Sequence, residues 1–133
     1  MTIPKIIEVG TELPALRIAP ISRTALALFA GASGDHNPIH IDLDVARSTG
    51  LDDVFAHGML SMAYLARLLT DWVPQERIRS YRVRFAALTP VHASVTCTAG
   101  VVSVESGLAT LALTVALDDG TLTLAGGAVV ALD

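Results

Sequence analysis

Hydrophobic positions recur with helical spacing in the first half of the chain and alternate in the second half. A helix is predicted over Arg23–Ala32, with Ser22 as its N-cap, because a serine hydroxyl accepts a hydrogen bond from free first-turn amides. A second, short helix is predicted over Asp44–Thr49. Between the two, residues 33–41 cannot form ordinary helix, because Pro38 has no amide proton to donate.

The longest predicted helix runs from about Gly58 to Trp72, and Pro74 ends it. Its side chains are apolar nearly all round, with few polar interruptions. A helix without a wide polar face is usually buried on most sides. The pattern therefore indicates that another part of the protein wraps around this helix.

The second half has the two-residue alternation of strands that are polar on one face. The pattern predicts turns at Ser106-Gly107 and at Asp119-Gly120, the latter of type I′ because that turn needs positive φ. Gly126-Gly127 indicates a bulge or bend in the last strand. An antiparallel meander curled round the long helix accounts for the patterns of both halves, and this arrangement is an α+β fold. The predicted strands are Leu13–Ala19, Arg79–Ala87, Ser94–Val104, Ala109–Leu117 and Thr121–Leu132.

Composition narrows the classes of protein that this chain could be. Its 133 residues suit one domain, and 52% hydrophobic with 17% charged residues exclude a disordered chain. The net charge of −4 has the wrong sign for a nucleic-acid partner. The single cysteine, Cys97, excludes an intrachain disulfide and a thiolate metal cage, and its strand-like neighbours predict that it is buried and inert.

No targeting segment is recognised in the sequence. Residues 1–5 are not followed by a secretory apolar core, and the apolar stretch Met59–Leu69 is too short to cross a bilayer. A soluble, cytoplasmic protein with no membrane partner is therefore expected. So large a hydrophobic fraction in so short a chain also indicates apolar surface buried against another subunit.

Polar residues that could carry chemistry are concentrated in one segment. Asp35 and His40 lie on either side of a turn pivoting at Asn37-Pro38, which could bring both side chains to one point. A carboxylate and an imidazole that reach one water are suited to proton transfer near neutral pH. The alternative is that Asp35 and Asn37 only stabilise the turn through local hydrogen bonds. The whole cluster is Asp35, His36, Asn37, His40 and Asp42, with His57 further along.

Metal binding is an alternative for the same segment. His36 and His40 have the i, i+4 spacing that places two ligands on one face of a helix in a zinc site. Pro38 lies between them and prevents that helix, so the spacing does not indicate such a site. No metal is therefore expected.

His57-Gly58 stands where the long helix begins. The Gly58 amide could polarise a carbonyl oxygen, since free amides at a helix N-terminus favour developing negative charge. The alternative is a helix start that needs a small residue, with His57 as a hydrogen-bonded core histidine.

Four arginines form the only basic cluster in the sequence. One interpretation is a docking site for the phosphates of a substrate carrier, and the other is the solvated face of a strand. These residues are Arg77, Arg79, Arg82 and Arg84.

Three strings, in their order and spacing, resemble the MaoC-like hydratases and dehydratases. This family comprises (R)-specific enoyl-CoA hydratases and 3-hydroxyacyl-thioester dehydratases. The most specific is FAGASGDHNPIHID, residues 29–42, followed by FAHGMLSM, residues 55–62. A looser match runs from YRVRF, residues 81–85, through Pro90. The resemblance covers about residues 8–131.

The resemblance implies a single hot-dog domain over residues 1–133, in which a sheet wraps around a long helix. It also implies a homodimer, or a higher oligomer of dimers, with the site at the subunit interface. The implied substrate is an acyl-CoA or acyl-carrier-protein thioester, and no cofactor is expected. The alternatives are a hot-dog acyl-CoA thioesterase, or one subunit of a heteromeric dehydratase.

The resemblance also implies roles for individual residues. Asp35 and His40 match the catalytic pair that holds water for syn addition across an enoyl thioester, or removes it in reverse. Gly58 matches the position whose amide stabilises the thioester oxygen, with Asn37 shaping the loop and His57 beside the substrate. Some members carry a serine near the thioester where this chain has Ala66.

Overall fold

The computed structural model describes residues 4–133, and within them five strands and three α-helices form the fold. Two 3-10 turns, Pro38–His40 and Gln75–Arg77, connect them. In chain order the elements are β1 Leu16–Arg17, α1 Arg23–Ser33, α2 Leu43–Ser48, α3 Gly58–Thr70, β2 Ile78–Phe85, β3 Val95–Glu105, β4 Leu108–Leu117 and β5 Leu122–Ala131.

The strands form one antiparallel sheet in the order β1-β3-β4-β5-β2. The meander prediction is therefore right for β3, β4 and β5 and wrong for β2, which pairs with β5 across the sheet rather than with β3. Neighbouring strands share a hydrophobic alternation, so local pattern does not specify which partner each strand takes. The first strand is also shorter than predicted, since it comprises only Leu16–Arg17, although the Leu13 and Ile18 amides on either side also donate to β3.

Helix α3 packs on the inner face of the sheet, mainly against β3, β4 and β2. Its side chains toward the sheet are buried, namely Leu60, Ser61, Leu65, Leu68 and Leu69. Its other side, with Met59, Ala63 and Arg67, is exposed in this single chain. The prediction of a helix enclosed on most sides therefore holds only for the half that faces the sheet. The helix also ends at Thr70, two residues before the predicted end.

Capping sets the start of α1. The Ser22 hydroxyl accepts a hydrogen bond from the Ala25 amide at 3.0 Å, so the predicted N-cap is confirmed. The helix continues to Ser33, and Gly34 ends it with φ of 78°. Gly31 lies inside the helix.

Both β-hairpins turn where the pattern predicted, but the type I′ turn lies in the first hairpin rather than in the second. At Ser106-Gly107 both residues have positive φ, 53° and 76°, which is the type I′ geometry. At Asp119-Gly120 only Gly120 has positive φ, and its amide donates to the Leu117 carbonyl at 2.9 Å. The type I′ assignment for Asp119-Gly120 is therefore wrong. This loop is longer by two residues, so a type I turn followed by a left-handed glycine closes it.

The turn assignment leads to a stability prediction. Ser106→Asn is expected to raise the free energy of unfolding by about 0.5 kcal/mol, because asparagine tolerates the left-handed conformation better than serine. Asp119→Asn is the matched control and should give no such gain, since residue 119 has negative φ. Urea unfolding of both variants measures the difference. Equal gains would contradict the two turn geometries.

The paired glycines of β5 do not form a bulge. Gly126 stays in register with Val83, and Gly127 with Arg82. A Cβ atom at position 126 would instead lie 2.0 Å from the Arg82 carbonyl oxygen. Gly126 therefore permits a close approach of the β2 backbone, and the bulge prediction is wrong.

Cys97 lies in the core, as predicted, and burial raises its pKa to about 11. A thiol with so high a pKa is almost fully protonated at neutral pH and is a poor nucleophile. Within residues 4–133, no helix has the length and apolar character that crossing a membrane requires.

Candidate active site

Asp35 lies on the loop that leaves α1, directly after the left-handed Gly34. Its amide donates to the Ser33 hydroxyl at 3.1 Å, and its Oδ1 accepts from the Asn37 amide at 3.2 Å. These local bonds hold the carboxylate while Oδ2 stays available. The side chain is 46% exposed, so the carboxylate is open to solvent or to a ligand.

His40 ends the 3-10 turn that Pro38 begins, and it is buried. Its Nδ1 lies 2.8 Å from the Phe55 carbonyl oxygen. A carbonyl only accepts hydrogen bonds, so Nδ1 carries the proton and Nε2 of the neutral ring has a free lone pair. The Phe55 ring packs edge-to-face against the imidazole, with ring centroids 4.8 Å apart, and this contact further limits rotation of the His40 ring.

The free Nε2 of His40 lies 4.0 Å from Asp35 Oδ2. That separation is too long for a direct hydrogen bond. It suits one shared water, since two hydrogen bonds of about 2.8 Å that meet at about 90° span this distance. The turn at Asn37-Pro38 thus places the two side chains together, in an arrangement that can hold a water between a carboxylate and an imidazole.

His57 is 1% exposed and packs beside the pair. Its ring stacks on the His40 ring with centroids 4.0 Å apart, and it also makes an edge-to-face contact with the Phe29 ring. Nε2 of His57 donates to the Asp35 backbone oxygen at 3.2 Å. This geometry favours the interpretation of a hydrogen-bonded core histidine over direct contact with a ligand. Its Nδ1 and the Ser61 hydroxyl are the buried side-chain polar atoms without a partner in residues 4–133.

A cavity of about 280 Å³ lies next to Asp35. Gly58, the first residue of α3, contributes to its wall, and the first amides of a helix have no acceptor within the helix. The half-exposed ring of Phe85 lies against Gly58, since a Cβ at position 58 would be 2.8 Å from two of its carbons. The remaining lining is largely apolar, with Phe55, Met59, Leu88 and Leu124. A carboxylate and a helix N-terminus therefore share one apolar cavity.

Comparison with known proteins places this geometry in a family. The model of the MaoC-like domain matches residues 7–119, most of the chain. The chain belongs to the MaoC-like family of hydratases and dehydratases.

Three comparisons relate this MaoC-like protein to others. It is 34% identical over 91 residues to 3-hydroxyacyl-thioester dehydratase Z of Mycobacterium tuberculosis, covering 64% of this chain and 60% of that protein's length. It is 30% identical to the beta subunit of 3-oxo-4,17-pregnadiene-20-carboxyl-CoA hydratase of the same species, covering 77% and 80%. The (R)-hydratase structure from A. caviae superposes with a TM-score of 0.87 at 28% identity, covering 98% and 100%. The α+β hot-dog fold is therefore confirmed.

Other members of the polar segment have structural positions in the MaoC-like domain. Asn37 Oδ1 accepts from the Ile39 amide at 3.2 Å and caps the 3-10 turn. Asp42 Oδ1 accepts from the Asp44 amide at 3.0 Å and caps α2, which begins one residue earlier than predicted. His36 is exposed. Ala66, where some members have serine, is partly buried on α3 and offers no hydroxyl.

The imidazole that the structure brings to His40 is His57, not His36. Donor atoms of Asp35, His40 and His57 lie within 4.8 Å of one another, a set that could bind a metal ion. The two imidazole planes are inclined by only 26°, however, and a shared ion needs ring lone pairs that converge. Nε2 of His57 is also engaged with the Asp35 carbonyl. The geometry suits hydrogen bonding better than coordination.

The arginine cluster divides into two parts. Arg77 donates to the carbonyl oxygens of Ala131 and Leu132 and so anchors the end of β5. Arg79 donates to the Glu76 carbonyl oxygen. Arg82 and Arg84 are exposed on β2. Two of the four guanidinium groups therefore satisfy backbone carbonyls, which weakens the interpretation of the whole cluster as a phosphate site.

The buried His57 makes stability depend on pH. Burial lowers its pKa below the usual 6.5, against the opposing effect of the hydrogen bond with Asp35. The unfolded chain then binds a proton at higher pH than the folded protein, so the free energy of unfolding falls as pH drops below about 6.5. Urea unfolding from pH 7 to pH 5 should show this loss, and His57→Gln should reduce it. An equally steep loss in the variant would contradict the assignment.

Proposed function

We propose that this protein catalyses the reversible hydration of trans-2-enoyl thioesters to (R)-3-hydroxyacyl thioesters. One observation carries the proposal: Asp35 Oδ2 and His40 Nε2 face each other at 4.0 Å beside a cavity that also contains the start of α3. The names of the relatives, a thioester dehydratase and hydratases, support the same reaction class. The protein is then a hydro-lyase whose active hot-dog domain comprises residues 1–133.

In the hydration direction, Asp35 and His40 hold one water on a single face of the enoyl group. The pair accepts a proton from this water as its oxygen bonds to the β-carbon. The π electrons of the C=C bond move towards the thioester carbonyl, which forms an enolate. The pair then delivers the same proton to the α-carbon, so atoms and charge balance and both additions occur on one face. We treat the pair as one acid–base unit and assign neither member alone as the base.

Negative charge develops on the thioester oxygen in this reaction. The Gly58 amide, at the positive end of the α3 dipole, is positioned to stabilise it. A glycine at this position also leaves room for the Phe85 ring, which packs directly on the backbone there. We propose that Phe85 excludes water from the oxygen-binding position and that the apolar cavity holds the acyl portion.

A spectrophotometric assay with crotonyl-CoA tests the reaction. Loss of the conjugated enoyl-thioester absorbance, with 3-hydroxybutyryl-CoA as product, is the expected result. Release of free CoA thiol instead would favour the thioesterase alternative, in which the held water attacks the carbonyl. The carrier is either CoA or an acyl carrier protein. Comparing the hydration rates of the crotonyl thioesters of both carriers distinguishes them. No consumption of either, at any acyl length, would overturn the proposal.

We also propose that the active form is a homodimer. Within residues 4–133, β2 pairs only with β5, so its other edge is free to extend the sheet. Next to this edge, Met59 and Phe85 are more than half exposed, as expected of a surface that a second copy covers. Light scattering should give twice the mass of the chain. An inactive monomer would instead favour a missing partner, and one relative is indeed named as a beta subunit.

A further inference from the structure

We propose that His57 is a positioning residue for the proposed reaction, which holds both Asp35 and His40 while touching no reacting atom. The inference rests on the proposed function of this pair. Its basis is a single buried ring that contacts both members at once, through a hydrogen bond to one and a stacking contact to the other.

The first contact fixes the backbone of Asp35. The other hydrogen bonds seen for this residue reach only Ser33, the last residue of α1, and Asn37, each two positions away. The bond from His57 Nε2 instead joins the Asp35 carbonyl oxygen to the residue directly before α3, 22 positions along the chain. The carboxylate is thereby held relative to the helix whose first amide is proposed to bind the thioester oxygen.

The second contact fixes the ring of His40. Its Nδ1 is already bonded to the Phe55 carbonyl, and that bond alone permits the ring to tilt about its axis. Stacking on His57, with ring centroids 4.0 Å apart, removes this freedom, and the Phe29 ring contacts His57 edge-to-face with centroids 4.8 Å apart. The two stacked imidazoles thus each have an edge-to-face contact with a phenylalanine ring, Phe29 for His57 and Phe55 for His40.

His57 is suited to holding the pair and unsuited to contacting substrate. It is 1% exposed and does not line the cavity beside Asp35. Its bond to a carbonyl oxygen requires a proton on Nε2, so a neutral ring keeps Nδ1 unprotonated. A neutral ring adds no charge to the pair, whereas an imidazolium in the same place would oppose protonation of His40.

Three variants separate the two contacts. His57→Gln retains an N–H near the position of Nε2 but loses the ring, His57→Phe retains the ring but loses the N–H, and His57→Ala loses both. With an enoyl thioester, we expect kcat of His57→Ala to fall about 100-fold with KM changed less than about threefold, a typical cost of misplaced catalytic groups. His57→Gln and His57→Phe should each recover part of the loss.

A second measurement does not depend on activity. Nitrogen-15 NMR of the His40 ring reports which nitrogen carries the proton, and in the native protein this should be Nδ1. His57→Ala should shift His40 towards a mixture of tautomers. Val115→Ala, a buried change in β4 outside the site, serves as a control that lowers stability and should leave the His40 tautomer and kcat unchanged.

The two measurements keep this inference separate from the proposed reaction. If the native protein hydrates no thioester, the tautomer of His40 still tests the positioning role. An unchanged tautomer in both His57→Ala and His57→Gln, the two variants that lose the ring, would overturn the inference. So would a loss of kcat that disappears once the rates are corrected for the folded fraction.

Discussion

Replacing His40 by asparagine should lower kcat for enoyl-thioester hydration about 1,000-fold while the protein stays folded. Asparagine keeps an N–H near the position of Nδ1, so the bond to the Phe55 carbonyl oxygen is retained. It lacks the atom equivalent to Nε2, the one that faces Asp35 at 4.0 Å. Losing a positioned acid–base group typically costs 100- to 10,000-fold in rate, roughly. Steady-state kinetics measures the loss, and circular dichroism confirms the fold.

Asp35→Asn should have an effect of the same size, because the amide cannot accept the proton of the shared water. Its side-chain oxygen can still accept from the Asn37 amide, so the loop is retained. His36→Gln is the matched control: it changes a histidine of the same segment that is exposed and outside the pair. It should keep the native rate. Native-like rates in His40→Asn or Asp35→Asn would remove the pair from the mechanism.

The largest effect on stability is expected for Gly126→Ala, a loss of about 3 kcal/mol or more in the free energy of unfolding. The new Cβ would lie 2.0 Å from the Arg82 carbonyl oxygen and 2.8 Å from the Val83 Cα. Both are backbone atoms, so no side-chain rotation relieves the overlap, and β2 must separate from β5. Overpacking in a rigid interior typically costs about 1–3 kcal/mol, and occasionally more.

Gly31→Ala is the control for Gly126→Ala. It makes the same chemical change inside α1, where nothing lies within 4 Å of the new Cβ. Alanine is the better helix former, so a gain of up to about 1 kcal/mol is expected. Urea unfolding of the two variants should therefore give shifts of opposite sign. A Gly126→Ala protein as stable as the native one would show that the two strands do not approach so closely.

Local chemistry made several elements of this fold predictable. Ser22 predicts the start of α1 because a hydroxyl at an N-cap accepts a hydrogen bond from a free amide within three residues. Pro38 places a turn between Asp35 and His40 because its ring excludes helix there. The spacing of the pair, with the turn between them, was enough to indicate that one carboxylate and one imidazole meet. In each case the interacting groups are near neighbours in the sequence.

Long-range contacts were not predictable in this way. The position of β2 beside β5, the clash that makes Gly126 necessary, and the stacking of His57 on His40 each join residues far apart along the chain. The turn types also escaped prediction, because loop length and strand register decide which residue takes positive φ.

The sequence by itself determined the helical and stranded halves, the cap of α1, the turn at Pro38 and the resemblance to the MaoC-like family. All but the resemblance depend on residue types within a few positions, where backbone sterics and local hydrogen bonds act, and the resemblance depends on three short strings spaced along the chain. Only the tertiary structure decided the order of the strands and the placing of His57 behind the Asp35–His40 pair. Those features depend on which distant surfaces bury each other, and burial is a property of the whole chain.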